Sequence, residues 1–269
     1  MKARAIIVFT LAILYCGNSY ARDYTFSIVP QQSAAKIARL WGPLLKQISS
    51  DTGLSLKLTT AKDIPTFEKR LTQGKYDFAY MNPYHFTVFS KKPGYLALAH
   101  QKDKYIRGIV VVRKDSPLTN LAELDGSTLA FPSPAAFAAS ILTQAKLIND
   151  SINYTPRYVS SHDSVYLAVA RGLVPAGGGV IRTFKNTDPA LREQLKIFWT
   201  TPKYTPHAFA AHPAVPHADR LKLQAALSSL DTTEAGRALL SAINFKGIKP
   251  AESDSWNDVR ELNLSVLSE

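Results

Sequence analysis

Cysteine is almost missing. The 269 residues contain one, Cys16, and it sits inside the opening apolar run. The remainder of the chain therefore has no disulfide, no thiolate nucleophile and no cysteine-based metal site. Long hydrophobic stretches are scarce as well. After Ala21 no apolar run reaches the roughly 20 residues that a membrane-spanning helix needs. There is no Gly-x-Ser-x-Gly, no His-Glu-x-x-His and no obvious carboxylate pair. With no nucleophile–base set and no paired acids, no enzyme is expected. The six histidines do not change this: His212 and His217 flank a proline-containing turn, without the helical spacing of a metal site. No metal and no cofactor are expected. Runs of five like charges, repeats and low-complexity linkers are also lacking, so no nucleic-acid-binding arm is implied.

What is present begins with a leader. Lys2 and Arg4 precede the apolar run Ala5 to Cys16, and Ser19-Tyr20-Ala21 offers a small-x-small cleavage site. This is the form of a secretory signal peptide, residues 1–21, with the mature chain starting at Arg22 in the periplasm. Tyr15 stands where a lipid-anchored cysteine needs a small residue, so lipid anchoring at Cys16 is not expected. The formal charge is +11; without Lys2 and Arg4, 30 basic against 21 acidic residues leave +9. Export argues against nucleic acid as the partner, and a small anionic ligand fits the balance.

Strands and helices alternate, which argues for an α/β fold. Tyr24 to Val29 reads as a strand. A helix from Ser33 to Ser50 carries Ile37, Leu40, Trp41, Leu44, Leu45 and Ile48 on one face, with a kink expected at Gly42-Pro43 and a stop at Gly53. Leu54 to Thr60 is a strand, and a helix opened by Pro65 runs to Gly74. The strand Tyr76 to Met81 follows, and then Asn82-Pro83-Tyr84-His85, a turn with two polar rings that opens a helix. Further on, Ile106 to Arg113, Ser127 to Phe131 and Tyr154 to Val159 read as strands, Pro134 to Ile148 as an alanine-rich helix, and Ser164 to Ala170 as a helix for which Asp163 is a candidate cap. Gly177-Gly178-Gly179 reads as a tight turn or as a close approach of backbone to ligand, before a helical turn from Val180 to Phe184. Tyr204 to His212 reads as a long strand and Pro216 to Leu262 as helical. Strands that end on helix-opening loops, at Gln31, at Met81-Asn82, before Pro134 and at Gly178, tend to gather ligands at their carboxyl ends.

Four stretches taken together, GKYDFAYMNPYHF, SSHDSVYLAVARG, GGGVIRTF and YTPHAFAAHP, resemble the phosphonate-, phosphite- and phosphate-binding periplasmic proteins of ABC importers. The resemblance runs from about Tyr24 to Leu262. It implies a two-lobe periplasmic-binding-protein fold, each lobe a mixed sheet flanked by helices. Lobe one would be 22–108 plus 205–269 and lobe two 109–204, with Ile106–Arg113 and Tyr204–His212 as the strands that cross between them. It also implies a small anion clamped between the lobes. The side chains expected there are Gln31, Met81, Asn82, Tyr84 and His85 from lobe one, Ala136, Phe137, Ala138, His162, Asp163, Gly178 and Arg182 from lobe two, and Tyr204 and His207 from the second crossing.

The sequence departs from the family at the anion corner. A Ser-Thr-Ser-Gly-like start to the second-lobe helix, whose hydroxyls hold the phosphonate in the family, is replaced by Pro134-Ala135-Ala136-Phe137-Ala138-Ala139-Ser140. A Val-Asp-Ala stretch whose Asp can meet an amino group has Pro175 in place of the Asp. Arg182 offers a planar fork to an oxyanion as compensation, and Phe137 makes the corner more apolar. The expected function is capture of a small oxyanion for an inner-membrane ABC permease, by a monomer. The alternative is a periplasmic ligand-sensing module that signals to a sensor kinase and delivers no cargo.

Overall fold

The computed structural model describes residues 22–264; the expected signal peptide, with Cys16, lies outside the described residues. The first lobe is laid down in βα units: β1 (Asp23–Ile28), α1 (Ala34–Thr52), β2 (Ser55–Thr59), α2 (Ile64–Thr72), β3 (Phe78–Met81), α3 (Pro83–Phe89) and β4 (Leu96–Gln101). The second lobe holds β5 (Gly108–Arg113), β6 (Ser127–Phe131), α4 (Leu142–Asn149), β7 (Tyr154–Tyr158), α5 (His162–Ala170), β8 (Ala176–Val180), α6 (Ile181–Lys185), α7 (Pro189–Arg192) and β9 (Leu195–Thr200). The chain then returns to the first lobe for β10 (Ala208–Ala211), α8 (His217–Ser229), α9 (Glu234–Ala242), β11 (Ile248–Pro250) and α10 (Asn257–Arg260).

Two mixed sheets result. The first has the order β11-β4-β10-β3-β1-β2, with β1 parallel to β2 and β3 and with β10 antiparallel to β3 and β4. The second has the order β7-β6-β8-β5-β9, with β6 parallel to β7 and β8 and with β5 antiparallel to β8 and β9. The α/β, two-lobe architecture expected from the sequence is the one observed.

Local chemistry explains the elements. The Ser33 hydroxyl accepts from the Lys36 amide to cap α1, and Gly53 ends it at φ +71°, a backbone angle that costs glycine little. Ile37, Trp41, Leu44, Leu45 and Ile48 are buried on one face, as their spacing predicts. The helix runs unbroken through Gly42-Pro43, the position where a kink is expected. In the first lobe Trp41, Tyr80 and Phe209 form an aromatic centre, with ring centroids 4.7 Å apart for Trp41–Tyr80 and 4.8 Å for Tyr80–Phe209.

Four elements differ from the sequence reading, each for a physical reason. The crossing at Tyr204 to His212 is not a continuous strand. Tyr204 exchanges both backbone hydrogen bonds with Ile106, at 2.8 and 3.1 Å, and β10 begins only at Ala208. Pro202 and Pro206 lack the N–H that a continuous ladder needs. The span from Pro216 to Leu262 is not all helix: Asn244 takes φ +59°, and the chain turns there to lay β11 on β4. The alanine-rich helix is shorter than its composition suggests. Residues Phe137–Ile141 form one wide π-type turn, with the Ile141 amide 3.4 Å from the Ala136 carbonyl, before α4 starts.

The triple glycine is neither a turn nor a loop. It is the middle of β8, fully buried and paired with β5. A Cβ on Gly178 would lie 1.9 Å from the Ala139 carbonyl oxygen, and one on Gly108 of the neighbouring β5 would lie 1.9 Å from the Ala138 carbonyl oxygen. Both glycines let the π-type turn lie flat against the second sheet.

Candidate functional site

The lobes meet along a seam made of protein. Asn82, at the end of β3, does two jobs. Its side-chain oxygen accepts from the His85 amide at 2.7 Å and caps α3, while its side-chain amide donates 3.1 Å to the Ala135 carbonyl in the other lobe. The Gln31 carbonyl, just past β1, accepts from the His162 amide at 3.0 Å, again across the lobes. Lys36 on α1 stands 3.9 Å from Asp163 on α5. The apolar side chains between Ala135 and Leu142 belong to the first lobe's hydrophobic core, so the second lobe contributes to the packing of the first.

Phe137 is the centre of this seam. It is 1% exposed, and its ring meets Tyr204 edge to face at 5.5 Å. Around it lie Ala136, Ala138, Val29, Ile64 and Val180, enclosing an inner pocket of only about 10 Å³. That is the limit for a single water. Where the family resemblance implies hydroxyls that hold a phosphonate, this chain has an apolar contact.

Polar groups gather beside the seam. Arg182, on the first turn of α6, donates to the Gln31 side-chain oxygen and lies over the Tyr80 ring, 5.7 Å from its centroid. With its oxygen turned to Arg182, the Gln31 amide nitrogen faces His162 Nε2 at 3.4 Å. On the far side of that ring, His162 Nδ1 is 3.2 Å from the Thr183 hydroxyl, which donates to the Val180 carbonyl. The pattern closes consistently if His162 is neutral and carries its proton on Nδ1. Burial, with the Arg182 guanidinium as a lesser cause, lowers the His162 pKa to about 3.

His207 follows the second crossing. It is 3% exposed, stacks on Tyr80 at 5.0 Å, and has a buried Nε2 without a hydrogen-bond partner among the described residues. Burial first, and then Arg182, push its pKa well below the ordinary histidine value. Among the described residues Arg182 has no carboxylate within ion-pair distance. Among the described residues, a half-buried guanidinium with no carboxylate in ion-pair range thus lies beside a buried ring nitrogen with no hydrogen-bond partner.

From Arg182 and His207 a cleft of about 320 Å³ opens along the two crossing segments. Lys104, Arg107, Lys185 and Lys203 line it together with Arg182; Asp103 is the one carboxylate. Tyr80, Tyr105, Ile106, Val180, Ile181 and Pro206 supply apolar surface between the cations.

The expected site residues therefore separate into groups. Gln31, Asn82, Ala136, Phe137, Ala138, His162 and His207 come together around the inner pocket, and Arg182 and His207 also line the larger cleft. Tyr204 borders the seam through Phe137. Others lie away from both cavities. His85 is fully buried, with Nε2 2.9 Å from Glu68 and with Phe67 and Phe89 beside its ring. Tyr84 is buried and points its hydroxyl toward the Leu264 carbonyl at 3.5 Å. Met81 is buried in β3 opposite Ala208. Gly178 faces Ala139 and Phe131. Asp163 does not cap α5; Ser161 does, its hydroxyl accepting from the Ser164 amide at 3.1 Å. Burial raises the Asp163 pKa, against the pull of Lys36. Sequence reasoning missed Tyr80 and the lysines of the cleft. The dense Lys102-Asp103-Lys104-Tyr105-Ile106-Arg107 stretch was the available signal, whereas Lys185 and Lys203 join it only through folding.

The family model for "ABC transporter, phosphonate, periplasmic substrate-binding protein" matches residues 26–256, most of the chain. The chain belongs to this family. It is thus a periplasmic substrate-binding component of the phosphonate class of ABC transporters. A curated relative, the phosphate-import protein PhnD of Mycolicibacterium smegmatis, is 24% identical over 225 residues, spanning 74% of this chain and 69% of the relative. Two solved structures share the fold at 17% identity. The binding-protein component of an ABC phosphonate transporter from Pseudomonas aeruginosa superposes with TM-score 0.82, covering 90% of this chain and 86% of that one. PhnD1 from Prochlorococcus marinus, in complex with methylphosphonate, gives TM-score 0.80, covering 89% and 96%. The family is periplasmic, and no helix among the described residues is long and apolar enough to cross a membrane.

Proposed function

We propose that this family member binds its oxyanion at the inner end of the basic cleft, between Arg182 and His207, and not at the start of the second-lobe helix. One observation carries the reading: Arg182 is a half-buried guanidinium with no carboxylate partner among the described residues, and it lies within reach of both lobes. A phosphorus oxyanion there takes charge-assisted bonds from Arg182 and a bond from His207 Nε2, which has no other partner among the described residues. The Gln31 amide, already bonded to Arg182, fixes the fork's orientation. Because Arg182 sits on lobe two and Gln31 and Tyr80 on lobe one, an anion bound there favours the arrangement in which the lobes meet, and that differential affinity is the signal a permease reads.

In this reading the protein acts as an exported monomer, its leader 1–21 removed, and it delivers cargo. The test is a thermal-shift series with phosphate, phosphite and methylphosphonate against sulfate and acetate. At 100 times its Kd, a ligand raises stability by about 2.7 kcal/mol, and Arg182→Ala removes that shift. A phosphorus oxyanion that stabilises the Arg182→Ala variant as fully as the native protein overturns the assignment.

A further inference from the structure

The cleft beyond Arg182 is much larger than an oxyanion head. Phosphate or methylphosphonate has five heavy atoms, while about 320 Å³ falls within the range of pockets that take whole organic molecules, about 300–1,000 Å³. The excess space also has a definite chemistry. Ile106 and Pro206, from the two crossing segments, and Ile181, next to Arg182, present apolar atoms to it. Tyr105 lines it with a ring that is 59% exposed, a large apolar surface left in water. The Lys203 ammonium lies 5.6 Å from the centroid of that ring, which holds one face of the tyrosine in place. Cations and apolar surface therefore occur in the same cleft, with Arg107 and Arg182 half-buried and the three lysines exposed, and with Arg182 nearest the buried Tyr80 ring.

We propose that the ligand is an organophosphorus anion with a ring-sized apolar substituent: the phosphorus head at Arg182 and His207, the substituent along Ile106, Pro206 and Tyr105. The proposal rests on the anion assignment above and adds the class of substituent. It gives the seam around Phe137 a consequence. With the inner pocket closed to about 10 Å³, a substituent can extend only outward into the cleft. It also gives Tyr105 and Lys203 a role that a protein for inorganic phosphate does not need.

The experiment is titration calorimetry of the purified protein and three variants with phenylphosphonate and with methylphosphonate. The native protein is expected to bind phenylphosphonate at least about tenfold more tightly than methylphosphonate. Tyr105→Ala is expected to remove most of that difference while leaving methylphosphonate binding as it was, because Tyr105 meets only the substituent. Lys203→Ala is expected to give a smaller change of the same kind. Arg182→Ala is expected to weaken both ligands alike. Tyr105 is exposed and these substitutions leave the core intact, so loss of folding does not confuse the reading. Equal affinity for the two phosphonates, or a preference that survives Tyr105→Ala, overturns the substituent proposal; if both still depend on Arg182, the anion assignment stands. No heat with either ligand overturns both.

Discussion

Two cavities share His207, Ile106 and Val180 as a common wall, and they have opposite character. On one side the Phe137 seam leaves about 10 Å³, lined by alanines, valines and isoleucines with the uncharged polar side chains of Gln31 and Asn82 and the rings of His162 and His207. On the other, about 320 Å³ opens among Lys104, Arg107, Arg182, Lys185 and Lys203. The difference lies in a few side chains. Alanines and a phenylalanine at the start of the second-lobe helix turn a polar corner into core, and a ring buried to 1% there ties the lobes by apolar contact. The neighbouring Arg182 has no carboxylate within ion-pair distance among the described residues. In the reading proposed above, an apolar wall at the start of the second-lobe helix leaves anion binding to the cations of the neighbouring cleft.

The most drastic way to break this contrast is to empty the seam. Phe137→Ala is expected to destabilise the protein by about 3–5 kcal/mol, the cost of truncating a buried aromatic, as measured by denaturant unfolding. A loss below about 1 kcal/mol would mean that Phe137 does not hold the lobes together. Arg182→Ala acts on the other cavity. Ligand affinity is expected to drop by about 1.5–3 kcal/mol, with a stability loss of about 1 kcal/mol from the freed Gln31 oxygen, well below that of Phe137→Ala. The two variants should therefore separate: one lowers stability, the other lowers affinity.

Acid gives a smaller and graded test. His162 has a folded pKa of about 3 against an ordinary 6.5, and His207 is lowered as well. Between those values the unfolded chain holds protons that the folded chain lacks. Stability therefore rises with pH across the His162 window and is lost as pH falls from about 6.5 toward 3, with His207 acting in the same direction. Asp163 works the other way: its raised pKa means that burial of its charge costs stability above the carboxylate range, and acid relieves that cost only at lower pH. The melting temperature of the ligand-free protein is expected to fall between pH 6.5 and 5. His162→Gln should flatten that fall. The smallest effect expected is at Asn82. Asn82→Ala loses the α3 cap and the bond to Ala135, a cost of about 1 kcal/mol on melting.

The sequence carried the fold further than the site. The 3.6-residue spacing of Ile37, Trp41, Leu44 and Ile48 and the alternation of strand and helix depend on local periodicity, and periodicity survives folding. The convergence of Gln31, Asn82, His162, Arg182 and His207 was legible because they follow strand ends or open helices, where side chains from distant segments meet. Tyr84 and His85 have the same placement in the chain, yet the Glu68 partner and the Phe67 and Phe89 rings that surround His85 come from elsewhere in the fold, and no local pattern announces them. The triple glycine misled for a related reason. A glycine run reads alike whether the backbone approaches a ligand or another stretch of the same chain, and here it approaches Ala139. The basic cleft was not legible because Lys104, Lys185 and Lys203 lie far apart in sequence and meet only where the chain crosses between lobes.

The position of the anion is best settled by a crystal structure of the protein with phenylphosphonate. Phosphorus oxygens are expected within hydrogen-bond distance of Arg182 and of His207 Nε2, with the phenyl ring toward Tyr105 and Pro206 and with Phe137 still buried against Tyr204. A phosphonate seated instead on the turn from Ala136 to Ala138, with Phe137 displaced, would contradict it.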